Sequence, residues 1–212
     1  MVLPVYDNNK SGKPKAIPCK KAKPEYVDLG LSVCWASFNL GASKPEESGS
    51  QFAWGETEPK PFYCWNYFDT DDGGKTFKDY YTFGGKTRLD AAHDAAHVHW
   101  SRYNRGWRMP SKAEWKELTD RCEWTLTETN GINGFNVTGP NGNSIFLPIP
   151  KYPISDESCY WSSELSNVTS YQAYSIRLSE YGNEITGDDI EYGFSYRCLG
   201  FYIRPVIEIN KR

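Results

Sequence analysis

An α+β fold with two helices and short antiparallel strands, loop-rich throughout, is predicted by three features of the 212-residue sequence. Helical signals are confined to the first half. Segments that alternate apolar and polar residues dominate after residue 122, and 18 glycines and 13 prolines punctuate the chain from end to end. The length suits one domain with a tail. Residues 1–24 carry six lysines and four prolines with little apolar periodicity, which predicts an extended leader or linker with a solvated basic face. The domain is then expected to span 25–212.

Tyr26 to Ala36 alternates apolar and polar residues around Gly30, the pattern of two short strands joined by a turn. Phe52-Ala53-Trp54-Gly55 predicts another short aromatic strand, and residues 56–87, rich in Pro, Gly, Asp and Tyr, a long surface loop. Leu89 to Trp100 has helical alanine content, with acidic residues early and histidines late, as the helix dipole favours. Ser111 followed by Glu114 is a capping box opening a second helix that should run to about Cys122 and bury Trp115 and Leu118. Gly134–Thr138 and Ser144–Leu147 flank Gly139-Pro140-Asn141-Gly142, a hairpin signal. Ser158–Trp161, Gln172–Leu178 and Gly200–Val206 supply three further strands, with an irregular insertion over 179–196.

Composition narrows the function classes. Hydrophobic residues make up 39% and aromatics number 33, so a core is available and disorder, coiled coil and collagen are excluded. A net charge of -3 provides no basic field, so no nucleic-acid partner is expected. No apolar run reaches the roughly 20 residues that span a bilayer, so no membrane insertion is expected, and the N-terminus lacks the apolar stretch of a signal peptide. The six cysteines lie far apart without a CxxC pair and read as small core residues, with one or more disulfides in an oxidising compartment as the alternative.

Rival chemistries are weakly supported. His93 and His97 are four apart and would share a helix face, yet no HExxH motif or third ligand accompanies them, so no metal site is expected. Asp69-Thr70-Asp71-Asp72-Gly73-Gly74 has the flavour of a calcium loop but has Tyr80 where the bidentate Glu would stand, and reads as an acidic turn. GxSxG and phosphate-loop signatures do not occur, and no histidine is near Cys159 or Cys198 in sequence to activate a thiolate. Neither an enzyme nor a cofactor is expected.

Glu25–Val33, Phe52–Thr57, Asp94–Val98, Gly106–Trp115, Asn130–Phe135, Asn141–Pro148, Tyr160–Ser163, Ala173-Tyr174 and Gly200–Val206 together resemble, in one order, the Fibrobacter succinogenes major paralogous domain family, abundant in Bacteroidetes. The resemblance implies a variant of the C-type lectin fold, related to the formylglycine-generating-enzyme type. It also implies an extracellular, cell-surface or phage-virion scaffold that displays a C-terminal binding surface. The calcium-dependent sugar motifs Glu-Pro-Asn and Trp-Asn-Asp are missing. One sub-group comprises variable proteins diversified by retroelements, whose varied codons derive mostly from asparagine codons and cannot yield Lys, Trp or Met.

Residues 152–210 here contain no lysine, and 162–203 contain neither Trp nor Met. Ser, Tyr, Gly and Asn fill nineteen of those forty-two positions, the composition of an adaptable paratope. The family pattern assigns Trp161, Ile176, Leu178, Arg197 and Arg204 to scaffold. It leaves Tyr171, Ser175, Arg177, Tyr181, Asn183, Thr186, Asp188, Asp189, Tyr192, Tyr196, Cys198, Leu199 and Tyr202 as the variable, ligand-binding positions of a segment at about 162–203. Glu191 joins Arg177, Asp188 and Asp189 as a polar rim. Strand alternation sets Ser175 and Arg177 opposite Ile176 and Leu178. The expected role is non-enzymatic binding of a protein or glycan ligand on another cell or surface. The alternatives are an adhesin-like surface module without a diversified site and, more remotely, a cysteine oxidase of the formylglycine-generating type.

Overall fold

The computed structural model describes residues 18–63, 87–150, 157–167, 171–179 and 190–208. Within them lie β1 (Tyr26–Val27), β2 (Cys34–Ala36), α1 (Ala95–Trp100), α2 (Lys112–Arg121), β3 (Glu123–Thr129), β4 (Ile132–Thr138), β5 (Ser144–Pro148), β6 (Glu157–Leu165), β7 (Gln172–Ser179), β8 (Ile190–Tyr196) and β9 (Val206–Ile207). The strands form three antiparallel three-stranded sheets, ordered β1-β2-β9, β3-β4-β5 and β6-β7-β8. The chain is thus an α+β protein.

Local chemistry explains several boundaries. Ser111 caps α2: its side chain accepts from the Glu114 N–H while Glu114 accepts from the Ser111 N–H, completing the capping box, and Trp115 and Leu118 face inward. The first helix is shorter than expected and begins at Ala95. Asp94 sits in extended geometry and accepts from the His97 N–H, while Asp90 accepts from the His93 N–H, so residues 91–93 form a turn instead. Tyr26 pairs with Ala36 as expected, around Gly30 at φ 76°. Phe52–Gly55 contributes only a bridge from Phe52 to Phe201. Of the expected strand over 200–206, only Val206 joins a ladder, while Tyr202 bridges Tyr160 in parallel.

Two strands were not anticipated. β3 pairs with β4 across the two-residue turn Asn130-Gly131, both at positive φ. β8 occupies much of the stretch expected to be irregular and pairs with β7 at seven consecutive positions. The expected loop over 56–87 lies partly, and the acidic turn at 69–74 wholly, outside the described residues.

Tryptophans build the interior. Trp35, Trp54 and Trp161 are fully buried, and Trp100, Trp107 and Trp115 nearly so. Trp35 packs against Trp115 at 4.7 Å between ring centroids, and Trp100 against Trp107 at 5.1 Å. Two of the indole N–H groups tie β6 to the Phe52–Trp54 segment: Trp54 donates to the Ser162 carbonyl and Trp161 to the Phe52 carbonyl, both at 2.8 Å. Arg204 is fully buried and is held by neutral acceptors. Its guanidinium donates to Asn39 Oδ1 (2.8 Å) and to the Ala36 (3.0 Å) and Phe146 (2.7 Å) carbonyls, tying β2, its following loop and β5 together. Desolvation pulls its pKa down to about 10. Cys19, Cys34 and Cys198 are buried core residues.

Candidate functional site: the outer part of the C-terminal sheet

β7 is the central strand of the C-terminal sheet, and its burial follows from the two clusters it separates. Ala173 packs into one, with Trp54, Trp100 and Trp161; Ile176 and Leu178 pack into the other, with Trp35 and Trp115. Arg177 between them is exposed. Ser175, expected to share its exposure, is buried instead, because its hydroxyl bonds Ser195 Oγ on β8 at 3.0 Å.

The other expected binding residues divide sharply. Tyr171 and Tyr196 are exposed at 50% and 52%. Tyr202 is 3% exposed, its ring 5.9 Å from Tyr160, so the structure corrects its assignment from surface to core. Cys198 is likewise corrected: it is buried beside Ala53 and Tyr63. Leu199 is half-buried and packs against the first core cluster. By register, Glu191 lies opposite Arg177 and Tyr192 opposite Ile176. Tyr181, Asn183, Thr186, Asp188 and Asp189 lie outside the described residues.

Residues that sequence reasoning passed over complete the surface. Tyr174 and Phe194 face each other across β7 and β8 with ring centroids 4.6 Å apart, and Phe194 is 38% exposed. Lys112, at the start of α2, sets its ammonium 3.9 Å from the Tyr174 ring centroid. Tyr174 also donates to Asn167 Oδ1 at 3.1 Å. The aromatic alternation Tyr192-Gly193-Phe194-Ser195-Tyr196 marks a strand, although it does not specify the register that pairs Phe194 with Tyr174. The assembled group offers large rigid apolar area with the Lys112 ammonium at hand, suited to binding rather than bond-making.

The histidine cluster disperses. His93 Nδ1 lies 2.7 Å from Asp90, His97 Nδ1 3.2 Å from the Trp107 carbonyl, and His99 Nε2 2.7 Å from the Thr57 carbonyl. Three rings on three different partners do not converge, and no group of three or more potential metal-binding side chains occurs among the described residues. A cleft of about 320 Å³ beside α1 is lined by Asp94, His97, Arg105, Trp107, Arg108 and Glu208, among others. Its charges serve the fold. Burial raises the Asp94 carboxyl pKa although the His97 and Met109 N–H groups bond it. Arg108 pairs with Glu114 at the α2 capping box and with Glu208. Burial pushes Glu114 up, but hydrogen bonds from Arg108 and Ser111 outweigh it and hold the carboxyl below its usual range.

No helix among the described residues is long and apolar enough to cross a membrane. No family model matches this chain, and no curated protein or solved structure matches it significantly. Fold and surface define it as an α+β protein with a tryptophan-rich interior and a C-terminal sheet that presents aromatic side chains to solvent.

Proposed function

We propose that the chain is a non-enzymatic ligand-binding protein that displays a variable C-terminal surface on a C-type lectin-like scaffold, as a diversity-generating retroelement target of the Fibrobacter succinogenes major paralogous domain type. The ligand is a protein or glycan on another cell or surface, met from an extracellular, cell-surface or virion location. The observation that carries the reading is the split in aromatic placement. Trp35, Trp54, Trp100, Trp107, Trp115 and Trp161 are buried, whereas Tyr171, Phe194 and Tyr196 are exposed in the lysine-free C-terminal segment. Exposed tyrosine offers contact area at small entropic cost, and such residues can be exchanged without touching the core. Arg177 and Lys112 supply charge at the rim.

Sequencing the DNA that flanks the gene tests this. The reading expects a reverse-transcriptase gene and a near-identical template repeat whose differences fall at adenines and map to codons such as those of Tyr171 and Tyr196. Flanking DNA with neither feature would overturn the diversified role and leave an invariant surface module.

A further inference from the structure

The two edges of the C-terminal sheet are treated differently. β6 is covered along its outer edge by a parallel bridge from Tyr160 to Tyr202 and another bridge from Glu164 to Arg88, and its pairing with β7 is interrupted by an irregularity between Trp161 and Leu165. No strand or bridge among the described residues reaches the outer edge of β8.

Backbone geometry identifies what that edge presents. The Arg197 N–H donates to the Tyr171 carbonyl at 3.0 Å, so this pair is of the hydrogen-bonded type. Alternation makes Ala173–Ser195, Ser175–Gly193 and Arg177–Glu191 the other bonded pairs. The N–H and C=O groups of Ile190, Tyr192, Phe194 and Tyr196 therefore point away from β7. The Tyr196 carbonyl is taken up by the Leu199 N–H at 3.0 Å, as that direction requires. The close approach of the Tyr174 and Phe194 rings fits the same scheme, since side chains are nearer in non-bonded pairs.

Sheet edges are commonly blunted by proline, lysine, a bulge or shortness. β8, Ile-Glu-Tyr-Gly-Phe-Ser-Tyr, has none of these: it is seven residues long and its register with β7 is unbroken.

We propose that β8 pairs antiparallel with β8 of a second copy of this chain about a two-fold axis at Gly193, joining two three-stranded sheets into one of six. The strand is self-complementary in this register. Gly193 meets Gly193 of the second copy at a non-bonded position, where Cα atoms come within about 4.5 Å and a glycine best admits the approach. Glu191, the only charge in the strand, falls opposite Ser195 of the second copy and not opposite another glutamate. The outward groups of Tyr192 and Phe194 then complete their hydrogen bonds. The pairing stands independently of the binding role above. Where both hold, it sets two aromatic surfaces side by side on one sheet and makes engagement of a multivalent surface bivalent.

Sedimentation equilibrium on the full chain tests the proposal, with the wild type expected as a concentration-dependent dimer. A Cβ at Gly193 meets nothing within 4 Å, so charged variants there are accommodated by the monomer. Gly193→Asp and Gly193→Lys each set like charges face to face and should weaken self-association by about 100-fold or more. Mixed in equal amounts, they should restore it. Phe194→Pro, which removes an outward N–H and no bond to β7, should also be monomeric with an intact thermal transition. A wild type that stays monomeric at every concentration overturns the proposal, as does a dimer that persists in all three variants or variants that fail to recombine on mixing.

Discussion

Tyr202 and Tyr196 stand six positions apart, and one is 3% and the other 52% exposed. The difference comes from the edges of one sheet. Tyr202 bridges β6, whose Tyr160 and Trp161 are fully buried and whose indole and phenol groups bond other elements; Tyr196 ends β8, which no described strand covers. Tyrosine serves both places because its ring is apolar and its hydroxyl tolerates water or a partner. Residue type therefore does not separate scaffold from surface in this segment. Strand position does.

The comparison can be broken first at the inner edge. Trp161→Ala removes a fully buried indole and its bond to the Phe52 carbonyl, and should cost about 3–5 kcal/mol in urea unfolding. A loss below about 1 kcal/mol would mean that β6 is no more structural than β8. Asp94→Asn tests the cleft beside α1. An amide keeps one acceptor for the His97 N–H but turns an NH₂ toward the Met109 N–H, so a loss of about 1–3 kcal/mol is expected by the same measurement.

A smaller effect, about 1 kcal/mol, is expected of Glu114→Gln near neutral pH, and it should be pH-dependent. Because the folded carboxyl titrates below its ordinary 4.5, its ionised form stabilises the fold above that pH. The contribution is lost as pH falls through the folded value. The gap between wild type and Glu114→Gln should accordingly close below about pH 4.5 in urea midpoints measured across pH. Asp94, raised by burial, has the opposite sign: its ionisation opposes folding, and that opposition fades on acidification.

How much of this was legible in the sequence depended on the range of the interactions involved. The α2 boundaries were readable because a capping box is written within four residues. The start of α1 was misplaced because Asp90 and Asp94 both offer caps, and the tertiary bond from the Met109 N–H goes to Asp94. The β3–β4 hairpin had a local mark in Asn130-Gly131, whose positive φ values suit a two-residue turn. At the candidate site, exposure of Tyr171, Arg177 and Tyr196 was anticipated. Burial of Ser175, Cys198 and Tyr202 was not, since it comes from Ser195, from Ala53 and Tyr63, and from Tyr160, contacts that lie 20 or more residues away. The Tyr174–Phe194 pair needed the β7–β8 register, which no short-range signal specifies.

The most direct measurement is urea unfolding of Tyr196→Ala beside Tyr202→Ala. Tyr196→Ala should lie within about 0.5 kcal/mol of wild type and Tyr202→Ala should lose about 3 kcal/mol. Equal losses in the two variants would contradict the division of the C-terminal segment into a buried scaffold and an exposed, exchangeable surface.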